Sequence, residues 1–79
     1  MRHVLTTTTQ VGEILRSRRK SRKVPQAALA AQVGISQSRL SILESSPEGL
    51  TLDRLLVLAK LLGLEVVIQD ASPRGEAEW

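Results

Sequence analysis

Seventy-nine residues carrying 11 Lys/Arg against 8 Asp/Glu, a formal net charge of +3, describe one small domain with a basic bias. With no Cys and a single His, His3, near the N-terminus, neither a thiolate nucleophile nor a His-based metal or catalytic cluster can be assembled within one subunit, so no enzyme activity, metal or cofactor is expected. No apolar run approaches the roughly 18 residues of a membrane span and no signal-peptide core opens the chain, which points to a soluble, cytoplasmic protein.

Residues 1–7 form an N-terminal arm. Thr8 or Thr9 can cap a first helix that buries Val11, Ile14 and Leu15 and runs to about Ser21. Its end and the following loop are densely basic, with Arg16, Arg18, Arg19, Lys20, Arg22 and Lys23 inside eight positions. Such a run can neutralise phosphates and release their counterions, or it can be a solvated helix end favoured by the macrodipole. The two short helices that follow, joined by a tight turn, favour the first use for part of the cluster. Residues 1–60 hold ten Lys/Arg and four Asp/Glu, whereas residues 61–79 set Arg74 against Glu65, Asp70, Glu76 and Glu78. The two ends prefer different partners.

From Pro25 to Glu44 the sequence PQAALAAQVGISQSRLSILE reads as two short helices, about 26–33 and 37–44, joined by a tight turn. Pro25 suits a helix start because its missing N–H would have no partner there, and Gly34 supplies the left-handed turn residue. Ser36 can cap the next helix, and Ile35 before the cap can pack on Leu40 as a hydrophobic staple. A step of 100° per residue then puts Leu40 and Leu43 on a packing face and leaves Gln37, Ser38, Ser41 and Ile42 outward. Gln37 offers a donor and an acceptor on one planar group, matching the N6 and N7 pattern of adenine in the DNA major groove. Serines serve either base type, and Ile42 can lie against a thymine methyl or a sugar. Since Trp79 is the only aromatic, stacking on single-stranded bases is disfavoured and duplex DNA is the expected ligand.

The loop 45–49 leads to Thr51, the expected cap of a fourth helix with Leu52, Leu55, Leu56, Leu58, Ala59 and Leu62 as a broad apolar side for core and subunit packing, ended by Gly63. Residues 64–70 change pattern, with Leu64, Val66 and Ile68 alternating with Glu65, Val67 and Gln69 as in a half-buried strand. A lone strand leaves its backbone groups unpaired, so Leu64, Val66, Val67 and Ile68 are expected to pair with the same segment of a second subunit. A chain this short buries only about 60 to 65% of its unfolded surface, which adds to the case for a homodimer. Residues 71–79 are expected to be a flexible acidic tail ending in Trp79.

Gln26, Gly34, Ser36, Gln37, Ser38, Leu40, Ser41, Leu43 and Glu44 resemble the helix-turn-helix pattern of the phage-repressor-like (Xre/Cro) family. The resemblance implies a mainly α domain of four to five helices over 8–63, here with the C-terminal strand pairing across a two-fold dimer. It also implies that Gln26 contacts phosphate and that Gln37, Ser38, Ser41 and Ile42 approach bases, although a polar residue is common at the position of Ile42. Ser36, Arg39, Arg16, Arg18, Arg19, Arg22 and Lys23 complete the candidate phosphate contacts. The loop ESSPEGLTL at 44–52, the strand ending at Asp70, and a tail with Ala71-Ser72-Pro73 and a final Glu78-Trp79 resemble HipB antitoxins of HipBA toxin–antitoxin modules. That likeness implies a dimeric repressor of its own operon, bound to inverted-repeat operator DNA and to a HipA-like serine/threonine kinase, with Trp79 as an anchor for that partner. A free-standing phage-type repressor and a helical dimer that binds only protein are the alternatives. No glycine-rich phosphate loop or catalytic Asp and Asn motif is present for phosphoryl transfer by the chain itself.

Overall fold

The computed structural model describes residues 2–71 as four α-helices and one 3-10 turn: α1 (Thr8–Ser21), α2 (Gln26–Val33), α3 (Gln37–Ser45), the turn Pro47–Gly49, and α4 (Leu52–Leu61). Each boundary has a local cause. Thr7, one residue before the expected caps, is the N-cap of α1, and Gln10 Oε1 accepts from the backbone N–H of Thr7 at 2.9 Å and of Thr6 at 2.6 Å. The other end of α1 closes with two reverse bonds, Lys23 N–H to Lys20 O at 2.9 Å and Val24 N–H to Arg19 O at 3.0 Å, with Lys23 in the left-handed region at φ 58°.

Pro25 starts α2, and Gly34 ends it at φ 82°, where a side chain would be strained. Ser36 Oγ accepts from Arg39 N–H at 3.0 Å to start α3, and Thr51 Oγ1 accepts from Arg54 N–H at 3.2 Å to start α4. The α1 and α3 helices meet closely at Gly12, where an added Cβ would overlap the Glu44 carbonyl.

Leu15, Leu29, Ala30, Leu40, Leu58 and Leu62 form the core, with Ile35 among the half-buried residues packed on it, so the expected Ile35 and Leu40 staple lies at the core margin. Leu29, Leu40, Leu43, Leu58 and Leu62 are the largest fully buried side chains, each adding about 1.5–3 kcal/mol of burial free energy. On α4, Leu58, Ala59 and Leu62 are buried and Leu55 packs at the core edge, but Leu52 is 67% exposed and Leu56 is exposed as well. Six apolar positions span more of the helix circumference than one chain covers.

Residues 64–71 differ from the sequence expectation. Leu64 is tied back by its N–H to Ala59 O at 2.7 Å and packs at the core edge, but no strand forms over 64–70 within the chain. A strand needs an edge to bond to, and among the described residues there is none. Val66, Val67 and Ile68 are exposed, Ile68 at 97%. The tail beyond Ala71, including Trp79, lies outside the described residues. Among the described residues no helix is long and apolar enough to cross a membrane.

Candidate nucleic-acid interface

Leu40 and Leu43 are each 1% exposed and turn one side of α3 into the core. The opposite arc, about 140° wide at 100° per residue, carries Gln37, Ser41, Ser45, Ser38 and Ile42, all exposed. The four expected base-reading residues therefore share one solvent-facing surface, with Ser45 as an added neighbour.

The first of them is held from behind. Arg19 donates from Nε to Glu44 Oε2 at 2.7 Å, from Nη2 to Glu44 Oε1 at 3.1 Å, and from Nη1 to Val24 O at 3.1 Å. Glu44 Oε1 also accepts from Gln26 Nε2 at 3.0 Å, and Gln26 Oε1 accepts from Gln37 Nε2 across a longer 3.4 Å. An ionised carboxylate only accepts, so Glu44 dictates which way the Gln26 amide faces, and this turns Gln26 Oε1 toward the Gln37 amide. The chain Arg19, Glu44, Gln26, Gln37 thus joins α1, the end of α3, the start of α2 and the start of α3. Gln37 keeps its carbonyl oxygen and one N–H for an outside partner.

This arrangement corrects the reading of the basic cluster. Arg19 is 8% exposed and its guanidinium is turned inward to Glu44 and Val24, so burial keeps it from a phosphate. Arg18 donates from Nε to Leu62 O at 2.9 Å and from Nη2 to Gly63 O at 3.5 Å. Arg22 lays its guanidinium over Gly63, where a Cβ would come within 2.5 Å of Nη2 and where φ is 73°. Arg18 is thus bonded to the carboxyl end of α4, and the Arg22 guanidinium lies beside it, where cations are favoured by the macrodipole. Arg16, Lys20, Arg22 and Lys23 are exposed. Ser36 uses its hydroxyl oxygen as the α3 cap, Gln26 is half-buried at the start of α2, and Arg39 is exposed with Nη2 3.5 Å from where a Gly49 Cβ would stand.

Sequence reasoning gave Glu44 no role and Arg19 the wrong one. The available signal was a charged residue on each of two packing faces: Arg19 lies four residues after buried Leu15, and Glu44 four after buried Leu40.

Residues 15–68 match the helix-turn-helix family model of Xre/Cro type. The chain belongs to this family. Among solved structures, HipB in complex with an O2 20-mer is similar over 91% of this chain and 100% of that one, with a TM-score of 0.80 and 26% identity. HipB in complex with an O4 20-mer is similar over 90% and 100%, with a TM-score of 0.78 and 25% identity. A structure of Fe(II)-HppE with an alternative substrate reaches 32% identity and a TM-score of 0.69 over 78% of this chain, but the match spans 32% of that chain. Among curated proteins none matches the sequence. In this helix-turn-helix chain, α2 and α3 are the paired helices and α1 is the support that carries Arg19 beneath them.

Proposed function

We propose that this chain is a DNA-binding, HipB-like antitoxin: a non-enzymatic, cytoplasmic homodimer that represses its own operon and restrains a HipA-like serine/threonine kinase. The observation that carries the DNA-reading part is the line of hydrogen bonds from Arg19 through Glu44 and Gln26 to Gln37. It leaves the Gln37 amide with one acceptor and one donor facing out, the complement of adenine N7 and N6. Ser38, Ser41 and Ile42 extend the reading surface, and exposed Arg16, Lys20, Lys23 and Arg39 provide charge for phosphates. The likeness to HipB bound to O2 and O4 20-mers supports a duplex operator as the ligand.

A two-fold dimer is supported by the apolar side chains that one chain leaves exposed, Leu52, Leu56, Val57 and Leu61 on α4 and Val66, Val67 and Ile68 after it. Two reading heads so joined suit inverted half-sites one helical turn, or a multiple, apart. The kinase partner rests on the resemblance of the 44–52 loop and of the final Glu78-Trp79 to HipB antitoxins. Footprinting on the chain's own upstream DNA, followed by calorimetric titration with the product of the neighbouring gene, tests the whole reading. Trp79→Ala is expected to weaken kinase binding by ~2 kcal/mol or more while leaving operator binding intact. Equal affinity for upstream and random duplexes would refute the repressor. Specific DNA binding with indifference to the neighbouring protein would leave a free-standing repressor.

A further inference from the structure

On the outward arc of α3 four of the five side chains, Gln37, Ser38, Ser41 and Ser45, are polar, and the fifth is Ile42. It is 51% exposed and takes no part in the core, so folding within one chain does not explain an aliphatic residue there. Its neighbours Ser38, one turn earlier, and Ser41, adjacent, are short, so Ile42 projects beyond them. A β-branched side chain in a helix has one strongly preferred χ1, and the methyl groups are therefore held in a fixed direction.

An isoleucine brought against base edges can neither donate nor accept a hydrogen bond. The apolar feature that the major groove offers it is the C5-methyl group of thymine. We infer that Ile42 makes this protein a reader of pyrimidine 5-methyl groups, which accepts 5-methylcytosine in place of thymine at one base of each half-site. This inference rests on the DNA-reading function proposed above. A polar residue at this position would distinguish the O4 acceptor of thymine from the N4 donor of cytosine, whereas Ile42 senses only whether the methyl is there. Methylation of a cytosine at that base would accordingly raise affinity. Ile42 lies five residues beyond Gln37, about 7.5 Å along the α3 axis and at the other edge of the outward arc, so the two side chains address different base pairs.

The test begins with the half-site defined by footprinting, in which each thymine is replaced in turn by deoxyuridine, deoxycytidine and 5-methyldeoxycytidine. Binding is read by fluorescence anisotropy at one salt concentration. Removing one methyl as deoxyuridine is expected to weaken binding about fourfold at a single thymine, the equivalent of ~0.8 kcal/mol per methyl group. That thymine should belong to a different base pair from the adenine whose replacement matters only when Gln37 is present. At the same position 5-methyldeoxycytidine should bind several-fold more tightly than deoxycytidine, and Ile42→Ala should bind thymine and uracil duplexes alike. Specific binding without any uracil penalty would overturn the inference and place Ile42 against a sugar. A uracil penalty that survives Ile42→Ala would overturn it too, by assigning the methyl contact elsewhere. Failure to prefer any duplex over random DNA would instead overturn the DNA-reading function itself.

Discussion

Removal of the Glu44 carboxylate should strike folding and reading together, and the two effects can be separated. The Arg19 and Glu44 side chains are 10% and 4% exposed, so their pair does not fall among the solvated ones worth ~0.2–1 kcal/mol. Breaking a buried pair by deleting one partner costs about 3–5 kcal/mol, because the remaining charge stays desolvated. A chain of 79 residues has roughly 4–12 kcal/mol in all, at about 0.05–0.15 kcal/mol per residue. Glu44→Ala is therefore expected to lower the urea midpoint by roughly 3 M, at an m-value near 1 kcal/mol per M, or to leave the chain unfolded without denaturant. The second arm replaces both charges, Arg19→Met with Glu44→Leu, and should bring stability back to within about 2 kcal/mol of the wild type. Gln26 would still lack the acceptor that orients it, so affinity for the specific duplex should stay reduced in this folded variant. A loss below ~1 kcal/mol in Glu44→Ala would refute the buried-pair reasoning. Full specific binding by the paired variant would show that Gln37 does not depend on the support beneath it.

Gln37→Ala should lose about 1–3 kcal/mol on the specific duplex and much less on random DNA, as measured by competition binding. Lys23→Gln should lower the slope of log affinity against log salt by roughly 0.9, whereas Arg18→Gln should leave the slope nearly unchanged, because Lys23 is exposed and Arg18 is bonded to the end of α4. Val67→Pro should weaken self-association in sedimentation and with it cooperative operator binding, by removing a ladder donor from the proposed intersubunit strand. A well-folded wild-type monomer at micromolar concentration would refute that interface.

The helices were legible because their signals are local: Ser36 and Thr51 accept the cap bonds expected of them, and Gly34 takes the left-handed conformation assigned to the turn. The outward placement of Gln37, Ser38, Ser41 and Ile42 followed from helical periodicity and the buried pair Leu40 and Leu43. The basic cluster was not legible to the same degree. Linear density does not say which way each side chain leaves a helix, and in α1 a step of one residue separates Arg18 at the α4 terminus from Arg19 under α3. The partnership of Arg19 with Glu44 crosses 25 positions, and charge counting cannot see it. The segment 64–70 has the alternation of a strand, but pairing is a property of two edges and only one is supplied by a single chain.

Sorted by what they touch, the basic residues divide the work of α1 in two. Arg18 fastens its last turns to the end of α4, at Leu62 and Gly63, the point from which the segment 64–71 departs. Arg19 fastens the same turns to Glu44 and, through Gln26, to the proposed reading residue Gln37. The proposed dimer surface and the proposed reading surface are thus tied to a single short stretch of one helix. Fixed half-site spacing demands such a connection, since a two-fold dimer selects among spacings only if each head is held at a set distance and angle from the axis. Arg18 and Arg19 are engaged within the fold, and the exposed Arg16, Lys20, Arg22 and Lys23 are left for phosphates and for the field that draws DNA toward them.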